Sequence, residues 1–152
     1  MSKKEDKSQN AEILAELTFS FLATCQEKEN RLAEQHGLTH AEFRCLRSFG
    51  TEECLNNKSI AERMNLSPSR LTRIINKLVL KEYIVREINN TDRRNMCVSL
   101  SGKGKQIVQL LNQSYLDIHT EILKDIDESQ HSPLITAMTN LLSALKKWGI
   151  KV

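Results

Sequence analysis

Residues 66–78, LSPSRLTRIINKL, decide the fold, because they contain a helix start followed by two opposite faces. Ser67 is a favourable N-cap, and Pro68 fits the first helical position, where its missing N–H costs nothing. At 100° per residue, four apolar side chains share one side of this helix: Leu71, Ile74, Ile75 and Leu78. The other side carries Ser69, Thr72, Arg73, Asn76 and Lys77. The stretch predicts a helix with an apolar back and a front rich in hydrogen-bond donors.

A shorter helix precedes this one. Ile60, Ala61 and Met64 have helical spacing, and Asn65, which tolerates the left-handed conformation, marks the end. Three residues are potential caps for its start: Asn56, Asn57 and Ser59. A short helix, a tight turn and a second helix with a polar front form a helix-turn-helix.

After the second helix the apolar pattern changes its period. Residues 84–88 and 96–100 alternate in polarity, and the polar segment 89–95 lies between them. Alternation with period two predicts strands, so we expect a two-stranded β hairpin with a long charged tip. A hairpin in this place makes the helix-turn-helix winged.

Helices with apolar stripes flank this core. The first is predicted to end at Gly37, the second to run from His40 to Phe49 behind a Thr39–Glu42 capping box, and two more to follow Ser101 and Pro133.

The predicted fold class is mainly α, a winged helix-turn-helix core with a two-stranded β hairpin wing, flanked by N- and C-terminal dimerisation helices. The domains are 1–37 for dimerisation, 38–101 for DNA binding and 102–152 for dimerisation. The terminal stripes could instead pack on each other within a monomer.

Charge is concentrated in the middle of the chain. Between residues 58 and 105 there are eleven Lys or Arg and four acidic residues, a local net charge of +7, whereas the whole 152-residue chain carries +3. A basic segment between acidic ends indicates a polyanionic partner, and nucleic acid is the first choice. No apolar run of about 20 residues and no secretory signal is present, so we expect a cytoplasmic protein without a membrane partner.

The chemistry of the front predicts double-stranded DNA as the partner. Arg and Asn are the side chains that read guanine and adenine in the major groove, so Arg73 and Asn76 are the predicted base contacts. Lys81 is a predicted phosphate contact. The predicted DNA-binding set is Ser67, Ser69, Arg70, Thr72, Arg73, Asn76, Lys77, Arg93 and Arg94. In the hairpin tip, Asp92 is expected to orient one guanidinium. Arg94, or alternatively Arg93, is expected to enter the minor groove.

The segments 66–78, 81–86 and 98–104, together with Asp92-Arg93-Arg94, resemble the winged-helix core of the MarR family of bacterial transcription regulators. The resemblance extends over nearly the whole chain. It implies a homodimer that binds a palindromic operator, usually as a repressor, and responds to a small phenolic or lipophilic ligand, to oxidants or to metals. The effector cleft that it implies is lined by His40, Phe43, Arg47 and Tyr115.

Several alternatives remain open. Thiol-based sensing is one, with Cys25 as the candidate, although Cys25 falls on an apolar stripe and is expected to be a buried structural thiol. The four cysteines form no C-x-x-C pair, so reduced thiols are expected; Cys45 and Cys54 could pair only if the fold brings them together. Potential metal ligands lack metal-site spacing, so no metal site or cofactor is predicted: His36, His40, Glu42, Cys45, His119 and His131.

Two other classes of function fit the sequence less well than DNA binding. Catalysis is not predicted, because the chain lacks a Gly-rich phosphate loop, a nucleophile elbow and an H-E-x-x-H motif. A winged-helix module that binds a protein partner would present apolar or aromatic anchors on the front of the 68–80 helix, and none is there. DNA binding is therefore the preferred hypothesis.

Overall fold

The computed structural model describes residues 3–88 and 96–150, which form six helices and three strands. Their bounds are α1 Lys3–Gln35, α2 His40–Arg47, β1 Leu55–Asn56, α3 Asn57–Met64, α4 Pro68–Leu80, β2 Ile84–Ile88, β3 Met96–Leu100, α5 Gly102–Lys124 and α6 Glu128–Ile150. The described chain is mainly helical and contains the helix-turn-helix of α3 and α4 and the β2–β3 hairpin, which confirms the predicted winged helix-turn-helix fold. The dimerisation role of the flanking helices stays a prediction.

The predicted helix starts rest on side-chain caps. Thr39 Oγ1 accepts from the Glu42 N–H, and Glu42 Oε2 accepts from the Thr39 N–H, which completes the capping box of α2. Asn56 Oδ1 accepts from the Ser59 N–H at 2.7 Å and begins α3. Ser67 Oγ accepts from the Arg70 N–H and begins α4. Each cap satisfies an amide that the helix itself leaves unpaired.

The sheet has one strand more than predicted. Its order is β1-β3-β2, with both pairings antiparallel. The additional strand, β1, pairs Leu55 with Val98 and Asn56 with Cys97. A strand of two residues is too short to show alternation, so the sequence pattern could not reveal it.

The back of α4 lies in the core. Leu71, Ile75 and Leu78 are all fully buried, and their neighbours in the core include Phe43 and Phe49. Burial of apolar side chains is the main favourable contribution to folding, so this packing fixes which side of α4 faces outward.

Some predicted helix boundaries are wrong. α2 ends at Arg47 and continues as a turn to Gly50, whose φ is +56°. α6 begins at Glu128, so Pro133 lies inside this helix and does not open it. The turn before α6 is closed by His131, whose Nε2 hydrogen bonds with the carbonyl oxygens of Leu123 and Ile126 at 3.0 and 2.9 Å. Pro133 is the sixth residue of α6 and removes one intrahelical hydrogen bond, so the sequence rule that proline opens a helix misplaced this start.

The chain divides into two compact units, residues 1–112 and 113–152. The first unit holds α1 to α4, the sheet and the start of α5. In the second unit, the described part of α6 has no buried residue, and its apolar side chains are exposed: Ile135, Met138, Leu142, Leu145, Trp148 and Ile150. The predicted domain limits at residues 37 and 101 stay predictions. Within the described ranges, no helix combines the length and apolar content that crossing a bilayer requires.

The prediction that all four thiols are reduced is wrong. Cys54 and Cys97 form a disulfide with Cα atoms 5.7 Å apart, because the pairing of β1 with β3 brings together residues 43 positions apart in the sequence. Cys45 is a fully buried free thiol, and burial followed by the nearby Glu42 carboxylate raises its pKa to about 12. Cys25 is exposed on α1 and not buried as expected, because the apolar stripe on which it lies has no cover within the described chain.

Candidate nucleic-acid interface

The outward side of α4 brings the predicted contact residues together. All of the predicted contact residues on and before this helix are exposed to solvent: Ser67, Ser69, Arg70, Thr72, Arg73, Asn76 and Lys77. The buried back of α4 forces them to one side of the helix, as the period of 3.6 requires. The face is rich in N–H and O–H donors, which suits contacts with base edges and phosphate oxygens.

The hydroxyl groups on this face are partly used within the helix. Thr72 Oγ1 donates to the Pro68 carbonyl oxygen at 2.9 Å, and Ser67 Oγ lies 3.4 Å from Ser69 Oγ. Ser67 also caps α4, so this residue places the helix N-terminus and its unpaired amides at the front. Helix N-termini attract anions such as phosphate.

An arginine that the sequence did not single out contacts one predicted base reader. Arg86 on β2 donates from Nη2 to Asn76 Oδ1. Recognition of adenine by asparagine uses both the amide oxygen and the amide nitrogen. Arg86 occupies one of the two lone pairs of this oxygen, so it restricts the orientation in which the Asn76 amide can meet a base. The signal in the sequence is weak, because ten residues separate the two side chains.

Lys81 pairs with an acidic residue of α2. Its Nζ lies 2.6 Å from Glu42 Oε2 and 3.0 Å from the Gly37 carbonyl oxygen. The Glu42 side chain is only 2% exposed, so Lys81 supplies the positive partner of a buried carboxylate. The interaction joins α2 to the end of α4, and the phosphate contact of Lys81 stays a prediction.

The predicted wing contacts Asp92, Arg93 and Arg94 lie outside the described residues. The structure describes the strands on either side, which end at Ile88 and begin again at Met96. The roles of these three residues therefore remain predictions from sequence.

Three of the four predicted effector residues lie on α2. His40 Nε2 lies 2.6 Å from Glu29 Oε2, and the Arg47 guanidinium lies 5.8 Å from the centre of the buried Phe43 ring. Phe43 and Arg47 also line a cavity together with Arg44 and Arg63. The fourth residue, Tyr115, belongs to the second unit, where its ring lies 4.4 Å from that of His119.

The potential metal ligands predicted from sequence do not form a cluster in the part of the chain that the structure describes. The group of three ligand side chains found there is a different one, Cys54, Glu87 and Cys97, whose ligand atoms lie within 4.8 Å of one another. Its two sulfurs are bonded to each other. The sequence did not identify this group, because its members come from three separate segments.

Comparison with known proteins supports the same fold and class. Residues 38–96 match the family model described as the MarR family. The HTH-type transcriptional regulator SarZ of Staphylococcus aureus (strain USA300) is 29% identical over 138 residues, covering 89% of this chain and 92% of SarZ.

Two solved structures show the similarity of fold. A MarR family protein from Bacillus stearothermophilus superimposes with a TM-score of 0.81 at 14% identity, over 91% of this chain and 97% of that one. A mutant of MarR from E. coli complexed with operator DNA gives a TM-score of 0.70 at 23% identity, over 85% and 93% of the two chains.

Proposed function

We propose that the chain is a transcription regulator of the MarR type, and that it acts as a homodimeric repressor of a palindromic operator. The observation that carries the proposal is the exposed donor-rich face of α4, held outward by a buried apolar back. The net charge of +7 between residues 58 and 105 supports the proposal, because positive charge makes binding to DNA phosphates more favourable.

The contacts divide by chemistry. Arg73 and Asn76 contact base edges in the major groove, with Ser69 and Thr72 beside them. Arg70, Lys77 and the N-terminus of α4 at Ser67 hold phosphates and set the position of the helix on the duplex. In the wing, Arg94 enters the minor groove, Arg93 lies beside it and Asp92 orients one guanidinium.

Dimerisation is supported by apolar surface that the single chain leaves exposed. On α1, Leu14, Leu17 and Phe21 are 45 to 57% exposed, and α6 exposes a row that includes Leu142 and Leu145. Contiguous exposed apolar surface of this kind marks an interaction site. A two-fold dimer presents two copies of α4 about one helical turn of DNA apart, which suits a palindrome.

An effector is proposed to shift the distance or angle between the two copies of α4 and so lower operator affinity. In the first unit, the proposed contacts of a small phenolic or lipophilic molecule are Phe43, His40 and Arg47, and Tyr115 of the second unit stays a prediction from the resemblance. A response to oxidants or metals is the alternative effector class.

The test is a fluorescence-anisotropy titration of the full chain against DNA from upstream of its own gene and against a shuffled duplex. We expect a preference of ~10³ or more for the native duplex, one dimer per site and a steep dependence on salt. Equally weak binding to both duplexes and to tiled fragments of the neighbouring genes would contradict a sequence-specific role.

A further inference from the structure

A disulfide connects the segment before the helix-turn-helix to the wing. Cys54 directly precedes β1, and Cys97 is the second residue of β3. The bond closes a ring with a sequence separation of 43 residues, and this ring contains α3, α4 and β2. All the proposed DNA-contacting residues therefore lie between its two ends.

The bond supplements a short non-covalent connection. β1 contributes only two paired residues, Leu55 with Val98 and Asn56 with Cys97. Asn56 is also the N-cap of α3. A two-residue strand holds its partner weakly, so the covalent link is what fixes the start of α3 to the strand that leaves the wing tip.

The two bonded cysteines differ in burial from the two free ones. Cys54 and Cys97 are both only partly buried, whereas Cys45 is fully buried. Cys25 is exposed on α1, apart from this sheet. On the same face of the sheet, Glu87 Oε2 lies 4.0 Å from Cys97 Sγ, and Ser99 Oγ donates to Glu87 Oε1 at 3.1 Å. The pair thus has a polar and only partly buried environment.

We propose that Cys54 and Cys97 are a reversible dithiol–disulfide switch, and that the disulfide holds the wing in the position that binds DNA. The oxidant class is a peroxide. The sulfur of one cysteine attacks a peroxide oxygen, the O–O bond breaks, and a sulfenic acid and one water form. The sulfur of the second cysteine then displaces this hydroxyl group as a second water. In total, two thiols and one peroxide give one disulfide and two waters, and a dithiol reductant returns two electrons and two protons.

The state of the bond affects DNA binding through preorganisation, a step that rests on the proposed function. With the bond closed, α3 and β3 are held together before DNA arrives. With the bond open, only non-covalent contacts hold α3 to β3, through β1 and through direct packing, and part of the binding free energy must be used to fix their relative position. We expect the oxidised protein to bind its operator at least about tenfold more tightly than the reduced protein.

The experiment uses the full chain with Cys25→Ser, which removes the exposed thiol. Thiols are counted in denaturant after treatment with peroxide or with dithiothreitol, and operator affinity is measured in both states. The count is expected to fall from three to one on oxidation, and the affinity to rise with it. Cys54→Ser and Cys97→Ser, each added to this background, should bind at the reduced level in both states, with circular dichroism as a check of folding.

Three outcomes would overturn the switch: three thiols after peroxide treatment, equal or reversed affinities of the two states, or a response that persists without Cys54. A further sample of the reduced protein receives Zn²⁺, because two thiols beside Glu87 also form a ligand set for that ion. If Zn²⁺ and not peroxide restored affinity, the pair would be a metal site instead. If neither state bound any duplex, the proposed function would fail, while the thiol count would still decide whether the pair forms.

Discussion

At the scale of single residues, we expect different side chains of α4 to carry sequence recognition and general attraction to DNA. Replacing Arg73 by Ala should cost ~1–3 kcal/mol of binding free energy on the operator and flatten the preference among sequences. Replacing Lys77 by Ala should weaken binding to all duplexes more evenly and reduce the salt slope by about one. Anisotropy titrations of both variants on operator and shuffled DNA check the pair. An Arg73→Ala variant that loses affinity equally on both duplexes would show that Arg73 contacts only phosphate.

Arg86 is expected to tune what Asn76 recognises, because it occupies the amide oxygen of Asn76. An Arg86→Met variant keeps most of the side-chain volume and removes the donor, so the base preference at the position contacted by Asn76 should change. Lys105→Met removes one exposed positive charge from the same basic segment and serves as the control, with a general loss of affinity only. Selection from a randomised operator measures both. An unchanged base preference in Arg86→Met would contradict the coupling.

Gly104 is required by a close approach of backbone to backbone. A Cβ added there would lie 2.0 Å from the Tyr83 carbonyl oxygen, so alanine must push the start of α5 away from the turn after α4. We expect Gly104→Ala to lower the free energy of unfolding by about 1–3 kcal/mol, as overpacking does. Gly102→Ala is the matched control, since nothing lies within 4 Å of its Cβ position. Urea unfolding compares the two, and equal stabilities would show that the approach relaxes at no cost.

At the scale of elements, the sequence predicted what depends on neighbouring residues and missed what depends on distant ones. The caps Thr39, Asn56 and Ser67 each act on an amide three residues away, so the starts of α2, α3 and α4 could be predicted. The exposed front of α4 followed from its period. The strand β1, the Cys54–Cys97 bond and the Arg86–Asn76 contact all arise from tertiary pairing, which leaves no local pattern.

The link between α2 and α4 depends on a charge pair. Lys81→Met would leave the carboxylate of Glu42 buried without its positive partner. We expect a loss of about 2 kcal/mol of stability, below the full cost of breaking a buried pair because the Lys81 side chain is 38% exposed and water can partly replace it. Lys124→Met removes an exposed i,i+3 pair with Glu121 and should change stability by at most about 0.5 kcal/mol.

A second substitution tests the cause of this loss. Glu42→Gln combined with Lys81→Met removes the buried charge but keeps a side chain that can complete the capping box. The double variant should therefore be more stable than Lys81→Met alone in urea unfolding. If the double variant were equally or less stable, the loss would come from packing of the lysine stem and not from an unpaired carboxylate.

At the scale of the whole molecule, charge and apolar surface are separated along the chain. The basic segment covers the helix-turn-helix and the wing, whereas the exposed apolar rows lie on α1 and α6, outside that segment. A protein that used one surface for both tasks would have to desolvate its cations to bury its apolar side chains. Under the proposed function, the apolar rows are used to pair with a second copy while the basic segment remains hydrated and available to DNA.

We therefore expect the oligomeric state to control operator affinity. Leu142→Glu with Leu145→Glu places two charges in the exposed apolar row of α6, where Leu142 is 53% and Leu145 46% exposed, so the fold should survive while the dimer dissociates. Sedimentation should then give a monomer, and operator affinity should fall by roughly 10²–10⁴, the gain that linking two half-site contacts provides. Asn140→Glu adds a charge to an exposed polar position of the same helix and should leave a dimer with unchanged affinity. A wild-type monomer at micromolar concentration, or a dimer that persists in the double variant, would place the subunit contact elsewhere or remove it from the mechanism.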